Sequence, residues 1–322
     1  MRRLPLRLAA LVVASAVAAF GFLAVDRAVR SRAEVPRAPE RHPADRWARC
    51  NRNAGTTQPS TFTPLSDARA AARVTHEAEI RPYNARPFTI DGVPYGPATT
   101  YVPTDAELQA FRGSRTSLGQ PVLELNPYLR FVDGRDGLPR PSTDDLIQWS
   151  AHKWGIPEDW LRAEFVQESL WNQFQLGDEL PVSADWYDRS PPQARVPGKR
   201  SVHTSLGITQ VKWIPDGSVG PGTEPLRWKS VAFALDYQAA TVRLYYDDPG
   251  GARTAWGDGT YVACRRWKSI GGWFQPYPWG NDGQEAYIAQ VRRHLARRSW
   301  ATRRFAHWTP PSFPPGVKFG AR

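Results

Sequence analysis

The feature that most constrains the fold of this chain is a pair of consecutive helical segments with signals at their ends. In "STDDLIQWSAHKWG", Ser142 stands three residues before Asp145, the spacing of a capping box, and Gly155 follows as a stop signal. The next segment, "PEDWLRAEFVQESLWNQ", places Pro157 at its first position and acidic residues in its first turn. Two capped helices in succession indicate a mainly helical domain that begins near residue 141.

Two later segments also show the apolar spacing of helices. We predict one long helix over residues 226–246 and a last helix in which Asp282 and Glu285 form the capping pair. A polar, proline-rich run over residues 175–204 separates the segment that contains Glu168 from "SLGITQVKW". The predicted fold class is therefore mainly α, preceded by an irregular, proline-rich N-terminal extension.

The N-terminal part of the chain predicts export. The basic stretch "MRRLPLR" precedes 18 uncharged residues, Leu8 to Val25, and "AVAA" at residues 16–19 offers a small-residue cleavage site. Residues 1–30 are therefore interpreted as a signal peptide that is cleaved or as a membrane anchor that is kept, and the protein is expected outside the cytoplasm. The next segment, residues 31–60, is rich in Arg and Pro and is interpreted as a tether.

Residues 61–140 are expected to form an irregular extension that packs on the following domain. A short helix is predicted within residues 66–80, and extended segments and turns are predicted from residue 81 because Pro and Gly recur there. We assign residues 141–300 to the helical domain and residues 301–322 to a basic C-terminal tail.

Charge and cysteine content narrow the set of partners. The net charge of +11 indicates an acidic partner, and export makes an anionic cell-wall polymer or the membrane surface a better expectation than nucleic acid. The two cysteines, Cys50 and Cys264, either pair as a disulfide or are separate thiols. The six histidines are scattered, with no metal-binding motif, so neither a metal nor a cofactor is predicted.

One residue of the second helical segment breaks its pattern. Leu161 and Phe165 lie on one face, and Glu168 follows on the same apolar stripe near the end of the helix. Partial burial and the negative end of the helix dipole both disfavour the charged carboxylate, so both raise its pKa. A carboxylic acid that keeps its proton near neutral pH suits general acid catalysis, whereas most helical glutamates are simply solvated.

The residues around Glu168 add a family resemblance. "ESLWN" at residues 168–172, "SLGITQ" at residues 205–210 and "EAYIAQV" at residues 285–291 occur in the order of the catalytic-Glu, Gly-Leu-Met-Gln and tyrosine motifs of SLT-type lytic transglycosylases, which belong to the lysozyme-like superfamily. The chain resembles this family over residues 141–300. It departs from the pattern in its long 173–204 insert, in Thr209 at the methionine position and in lacking the usual Ala-Tyr-Asn-Ala-Gly segment.

The resemblance implies a lysozyme-like α+β catalytic domain that acts, as a monomer, on peptidoglycan glycan strands. Glu168 would protonate the bond between N-acetylmuramic acid and N-acetylglucosamine and then act as base, giving a 1,6-anhydro product. We predict that the substrate-binding residues are Ser205, Gly207, Gln210, Trp273 and Tyr287. For Gln210 a turn-stabilising role is an equal alternative, and for Tyr287 a plain core role is the alternative.

Two rival functions stay open. A hydrolysing muramidase needs a second carboxylate, which one of the acids of the insert is able to supply. These acids are Asp178, Glu179, Asp185 and Asp188. A non-catalytic wall-binding protein is the other rival. Several aromatic residues are candidates for stacking on sugar rings, although aromatic residues at this density are more often core: Trp213, Trp273, Phe274 and Trp279.

Overall fold

The computed structural model describes residues 62–75, 77, 80, 88–90, 93–95, 101–173, 175–247, 261–302 and 305. The predicted signal or anchor, the predicted tether with Cys50 and the end of the basic tail lie outside the described residues. The elements in chain order are α1 (Asp67–Ala71), β1 (Phe88–Ile90), β2 (Val93–Tyr95), α2 (Asp105–Arg112), α3 (Val122–Leu125), a 3-10 helix (Pro127–Phe131), α4 (Thr143–Trp154), α5 (Glu158–Ser169), β3 (Glu179–Pro181), α6 (Ala184–Arg189), a 3-10 helix (Pro192–Ala194), β4 (Ser201–His203), β5 (Ser205–Leu206), β6 (Val211–Lys212), α7 (Leu226–Lys229), α8 (Val231–Asp247), α9 (Arg266–Phe274), α10 (Asp282–Arg297) and a 3-10 helix (Ser299–Ala301). The mainly helical class is confirmed.

The two helices predicted first, α4 and α5, form as expected. Ser142 Oγ accepts a hydrogen bond from the Asp145 amide at 3.2 Å, and the Asp145 carboxylate accepts one from the Ser142 amide at 2.8 Å. Gly155 ends α4 with a φ of 64°, which confirms the predicted stop. Pro157 is the N-cap of α5, whereas it was predicted to be the first residue of the helix. The two helices therefore follow one another across a short connection.

The predicted long helix over residues 226–246 is wrong in one respect, because it is broken at Ser230. The backbone of Ser230 is extended, its Oγ accepts from the Phe233 amide at 3.2 Å, and the same hydroxyl donates to the Tyr101 carbonyl at 3.0 Å. A serine side chain that caps the next helix competes with helix continuation. Similarly, α10 is capped by Asn281, which accepts from the Gln284 amide at 2.9 Å, rather than by Asp282.

The extension is more regular than predicted. Residues 105–112 form the helix α2, whose capping box joins Thr104 and Glu107, whereas extended segments and turns were expected there. Phe111 of α2 is buried against Phe233 of α8, with ring centroids 5.0 Å apart and nearly perpendicular planes. The helix predicted within residues 66–80 covers only α1. The described part of the extension therefore shares its hydrophobic core with the domain after residue 141.

The insert has a fold of its own instead of being a loop. β3 pairs antiparallel with β4 in the register Glu179↔His203, and α6 lies between the two strands in the sequence. A small cluster of Ala194, Val202 and Leu206 packs beneath it. Leu206 belongs to β5, which forms a hairpin with β6. The insert is thus attached to the β5–β6 hairpin by both backbone pairing and apolar contact.

A buried ionic cluster joins the first described helix to the centre of the core. Asp236 of α8 is fully buried and accepts hydrogen bonds from Lys153 Nζ at 2.7 Å and from Trp154 Nε1 at 2.6 Å. Lys153 also pairs with Asp67 of α1 at 2.8 Å and with Asp133 at 3.0 Å. Burial lowers the pKa of Lys153, but the surrounding carboxylates outweigh it and leave that pKa above its ordinary value. The lysine therefore stays charged, and the cluster links α1, α4 and α8.

Within the described ranges, no helix is both long enough and apolar enough to cross a membrane.

The cluster predicts a large loss of stability when its charge balance is broken. We expect Lys153→Met to lower the free energy of unfolding by about 3 kcal/mol, because the buried Asp236 then loses its charged partner. The matched control is Asp185→Asn, which breaks the exposed ion pair with Arg189 and should cost at most about 0.5 kcal/mol. Urea unfolding of the full chain measures both values. Equal effects in the two variants would contradict the role given to the cluster.

Candidate active site

Glu168 occupies the last turn of α5, where the chain changes direction sharply. The next residues, Leu170 and Trp171, both have positive φ angles, of 54° and 62°. Trp171 is buried, and its indole N–H donates to the Arg162 carbonyl at 3.1 Å, which anchors the turn to the helix that it leaves. Glu168 is partly exposed although Phe165, three residues earlier, is fully buried. The carboxyl group therefore lies at the boundary between core and solvent.

A second chain segment is attached directly beside this carboxylate. Ser169 Oγ donates a hydrogen bond to the Ile208 carbonyl at 2.7 Å, which ties the end of α5 to the turn between β5 and β6. Gly207 starts that turn with a φ of 85°, and a Cβ there would lie 2.8 Å from the Arg227 carbonyl oxygen. Glycine is therefore required at this position for both conformation and space. The structure thus brings residues 168–169 and the 205–210 segment together.

The polar residues of this turn contact the hairpin itself. Gln210 Nε2 donates to the Gly207 carbonyl at 2.8 Å and to the Gln175 carbonyl at 3.1 Å, which favours the turn-stabilising alternative for this side chain. Ser205 is buried in β5, and its carbonyl accepts from the Gly177 amide at 2.9 Å. A contact between these residues and a sugar stays a prediction.

A third segment supplies the direct partner of the acid. Tyr287 of α10 is buried, and its hydroxyl donates a short hydrogen bond to Glu168 Oε1. α10 packs along α5, so this contact joins two helices separated by more than a hundred residues of sequence. The predicted site residues Glu168 and Tyr287 are therefore brought together. A hydrogen bond of this kind fixes one carboxylate oxygen and leaves the other available.

The surroundings of Glu168 hold its pKa above the ordinary value. Burial is the largest cause and raises the pKa, the Tyr287 hydrogen bond lowers it, and the charge of Asp178 raises it; together they leave the pKa at about 7. Asp178 stands at the start of the insert, is exposed, and pairs with Lys212 at 2.8 Å. Glu168 is thus able to exist in both protonation states near neutral pH, which an acid that later acts as base requires.

One exposed aromatic side chain lies against Tyr287. Gly271 lets α9 come close to α10, since a Cβ there would lie 2.6 Å from Gln284 Cγ. As a result Phe274 stacks on Tyr287, with centroids 4.9 Å apart and an interplanar angle of 5°, while 54% of Phe274 remains exposed. Tyr277 is 55% exposed. By contrast, the Trp273 indole donates to the Thr209 carbonyl at 3.0 Å and is only partly exposed.

The other predicted residues contact other parts of the fold or lie outside the described residues. Trp213 lies against the Arg227 guanidinium, and Trp279 packs on Tyr261. Cys264 is disulfide-bonded, whereas Cys50, its predicted partner, lies outside the described residues. Over the described ranges, no group of His, Cys, Asp and Glu side chains has the arrangement of a metal site.

The sequence analysis missed a second glutamate. Glu164 lies one helical turn before Glu168 on the same stripe and is fully buried, and Gln238 of α8 is a buried polar neighbour. The signal was present, because Glu164 follows Leu161 at helical spacing and interrupts the apolar face just as Glu168 does.

Neither a protein-family model, nor a curated protein, nor a solved structure matches this chain. A function has to be argued from the chemistry of the site.

The raised pKa of Glu168 predicts a pH-dependent stability difference. The unfolded carboxyl ionises near 4.5 and the folded one near 7, so the folded state binds more protons between these values and loses stability as pH rises through them. Glu168→Gln removes this loss, and we expect the variant to gain about 3 kcal/mol relative to wild type between pH 4.5 and 8, most of it below pH 7, with little further change above pH 8. Urea unfolding at pH 4.5, 6, 7 and 8 measures the difference. A difference that is constant over this range would show that Glu168 ionises like an exposed glutamate.

Proposed function

We propose that the protein is a peptidoglycan lytic transglycosylase with a lysozyme-like catalytic domain over residues 141–300. The observation that carries the proposal is the Glu168 carboxyl group: partly exposed, hydrogen-bonded by Tyr287 and with a pKa raised to about 7. The contact between Ser169 and the 207–210 turn supports it as well, because it joins two of the three motifs on which the family resemblance is based.

The proposed reaction uses Glu168 twice. The protonated carboxyl first gives its proton to the glycosidic oxygen as the bond from that oxygen to C1 of N-acetylmuramic acid breaks. The carboxylate, stabilised by the Tyr287 hydroxyl, then takes the proton of the C6 hydroxyl group. The oxygen of that hydroxyl group forms the new bond to C1. The products are a 1,6-anhydro sugar and a free hydroxyl on the departing chain. The acid is regenerated, no water is consumed, and no cofactor is needed.

The hydrolytic alternative is favoured by one observation, the position of Asp178. Among the acids of the insert, its charge is the one that acts on Glu168. Two of the other acids are engaged in exposed ion pairs, Glu179 with Lys199 and Asp185 with Arg189. A two-carboxylate glycosidase would use Asp178 to activate water or to attack C1. Like Glu179 and Asp185, Asp178 also forms an exposed ion pair, with Lys212.

Phe274 supplies a surface for the sugar chain. Pyranose rings have apolar faces that pack against aromatic rings, and Phe274 extends the buried ring of Tyr287 outward from the acid. This arrangement supports a glycan-binding position adjoining Glu168. The proposed substrate is accordingly the glycan strand of peptidoglycan, acted on by a protein that is exported or anchored by its N-terminal segment.

The identity of the released sugar terminus tests the proposed function. Digestion of purified cell wall by the full chain should release muropeptides with 1,6-anhydro ends, each one water lighter than the hydrolysis product in mass spectrometry. Glu168→Gln should lower the rate at least about a hundredfold, because the proton donor is lost.

The control variant is Asp178→Asn. If the protein is a transglycosylase, this variant should retain activity within about threefold and keep the anhydro product. Reducing-end products from the wild type, together with loss of activity in the variant, would identify a muramidase. Wall binding without cleavage by the wild type would indicate the non-catalytic alternative.

The exposed ring of Phe274 predicts an effect on substrate binding. We expect Phe274→Ala to raise KM about tenfold and to change kcat little, because stacking on a sugar is present before and during the reaction. Leu118→Ala, which removes a side chain that is 86% exposed, is the matched control and should change neither constant. Steady-state rates on soluble glycan strands measure both constants. An unchanged KM for Phe274→Ala would rule out the proposed binding position.

A further inference from the structure

Glu164 is an ionisable residue that the proposed reaction does not use. It lies in the middle of α5 with no exposed surface, and neither of its carboxyl oxygens has a hydrogen bond of normal geometry to any described group. A buried carboxylate without a compensating partner is costly, and a structure normally avoids it by neutralising the group. A side chain of this kind inside a helix calls for a specific reason.

The groups around Glu164 are those of the active site. Glu168 follows it by one helical turn, Tyr287 of α10 faces it, and Gln238 of α8 is the third polar group that acts on it. Gln238 is also fully buried, and both polar atoms of its amide lack a hydrogen bond of normal geometry within the described structure. Four polar side chains from three helices therefore share one buried region, and Glu168 is the member that reaches solvent.

We propose that Glu164 is a positioning residue of this site: a carboxylic acid that stays protonated and orients the Tyr287 hydroxyl toward Glu168. The Tyr287 hydroxyl has a single proton, which it donates to Glu168 Oε1. Its oxygen is then free to accept, and a protonated Glu164 is the donor placed to supply that proton. In this arrangement the remaining carbonyl oxygen of Glu164 would accept from the amide of Gln238, the other neighbouring group that lowers the pKa of Glu164. The role rests on the proposed function of Glu168.

The electrostatics agree with this arrangement. Complete burial raises the pKa of Glu164 well above its ordinary value, and the negative charge that Glu168 acquires raises it further. Glu168 therefore ionises first, and Glu164 remains neutral while Glu168 exchanges protons with the substrate. A neutral neighbour does not repel the Glu168 carboxylate, whereas a second charge one turn away would.

Two substitutions separate a neutral donor from a charged or a purely structural residue. Glu164→Gln keeps the shape, the zero charge and a donor, so the pKa of Glu168 should stay within about half a unit of its wild-type value. Glu164→Leu removes the donor; we expect the pKa of Glu168 to rise by about one unit and kcat to fall about tenfold at unchanged KM. If kcat stays near the wild-type value in Glu164→Gln but falls in Glu164→Leu, Glu164 acts by positioning Tyr287 and not by packing.

The measurements are carbon NMR titration of glutamate carboxyl groups labelled with carbon-13 and infrared spectroscopy of the full chain. A protonated-carboxyl band should persist at pH 8 in wild type and in Glu168→Gln, and should be lost in Glu164→Gln. Absence of that band in wild type overturns the proposal, and so does a fall of about one unit or more in the pKa of Glu168 in Glu164→Gln. Neither of these two measurements requires glycan cleavage. An inactive wild type would therefore refute the proposed function, while the two spectra would still decide the role of Glu164.

Discussion

The hydrogen bond from Tyr287 to Glu168 is the contact around which the candidate site is organised. It crosses from α10 to α5, and its two partners differ: the tyrosine is buried, whereas the glutamate is partly exposed and, in the reaction we propose, loses and regains a proton. Burial alone would make the carboxylate too unstable to serve as a base, and full hydration would leave too little of the acid form. One donated hydrogen bond at the edge of the core provides the intermediate condition.

The position of this contact depends on the rest of the molecule through α4 and α5. The Lys153–Asp236 pair fixes α4 against α8, and Arg162 of α5 pairs with Asp144 of α4 at 2.7 Å. These charges are buried and mutually satisfied, so relative movement of the helices would expose unpaired ions at a cost of several kcal/mol. The apolar core supplies most of the stabilisation, while the ionic contacts restrict how the helices are arranged within it.

The sequence predicted the parts of the fold that depend on local signals. The capping box at Ser142, the stop at Gly155 and the acid at Glu168 follow from residues within one or two turns of each other. The helix α2 had an equally good signal at Thr104, but the surrounding Pro and Gly outweighed it. The break at Ser230 depends on a distant carbonyl, that of Tyr101, which no local pattern reveals. Glu164 was not predicted, because the apolar stripe alone does not show which of its two interruptions is fully buried.

The attachment of the insert has a consequence for the evolution and engineering of this domain. Its strands are held in register at Glu179 and His203, beside the β5–β6 hairpin, and Ala194 between the strands shares a buried apolar cluster with Leu206 of that hairpin. The paired strands and this cluster hold the insert, whereas α6 has no buried residue and is the part that is open to shortening, lengthening or exchange. Variation confined to α6 would change an exposed surface of the domain while the backbone that holds Glu168 keeps its path.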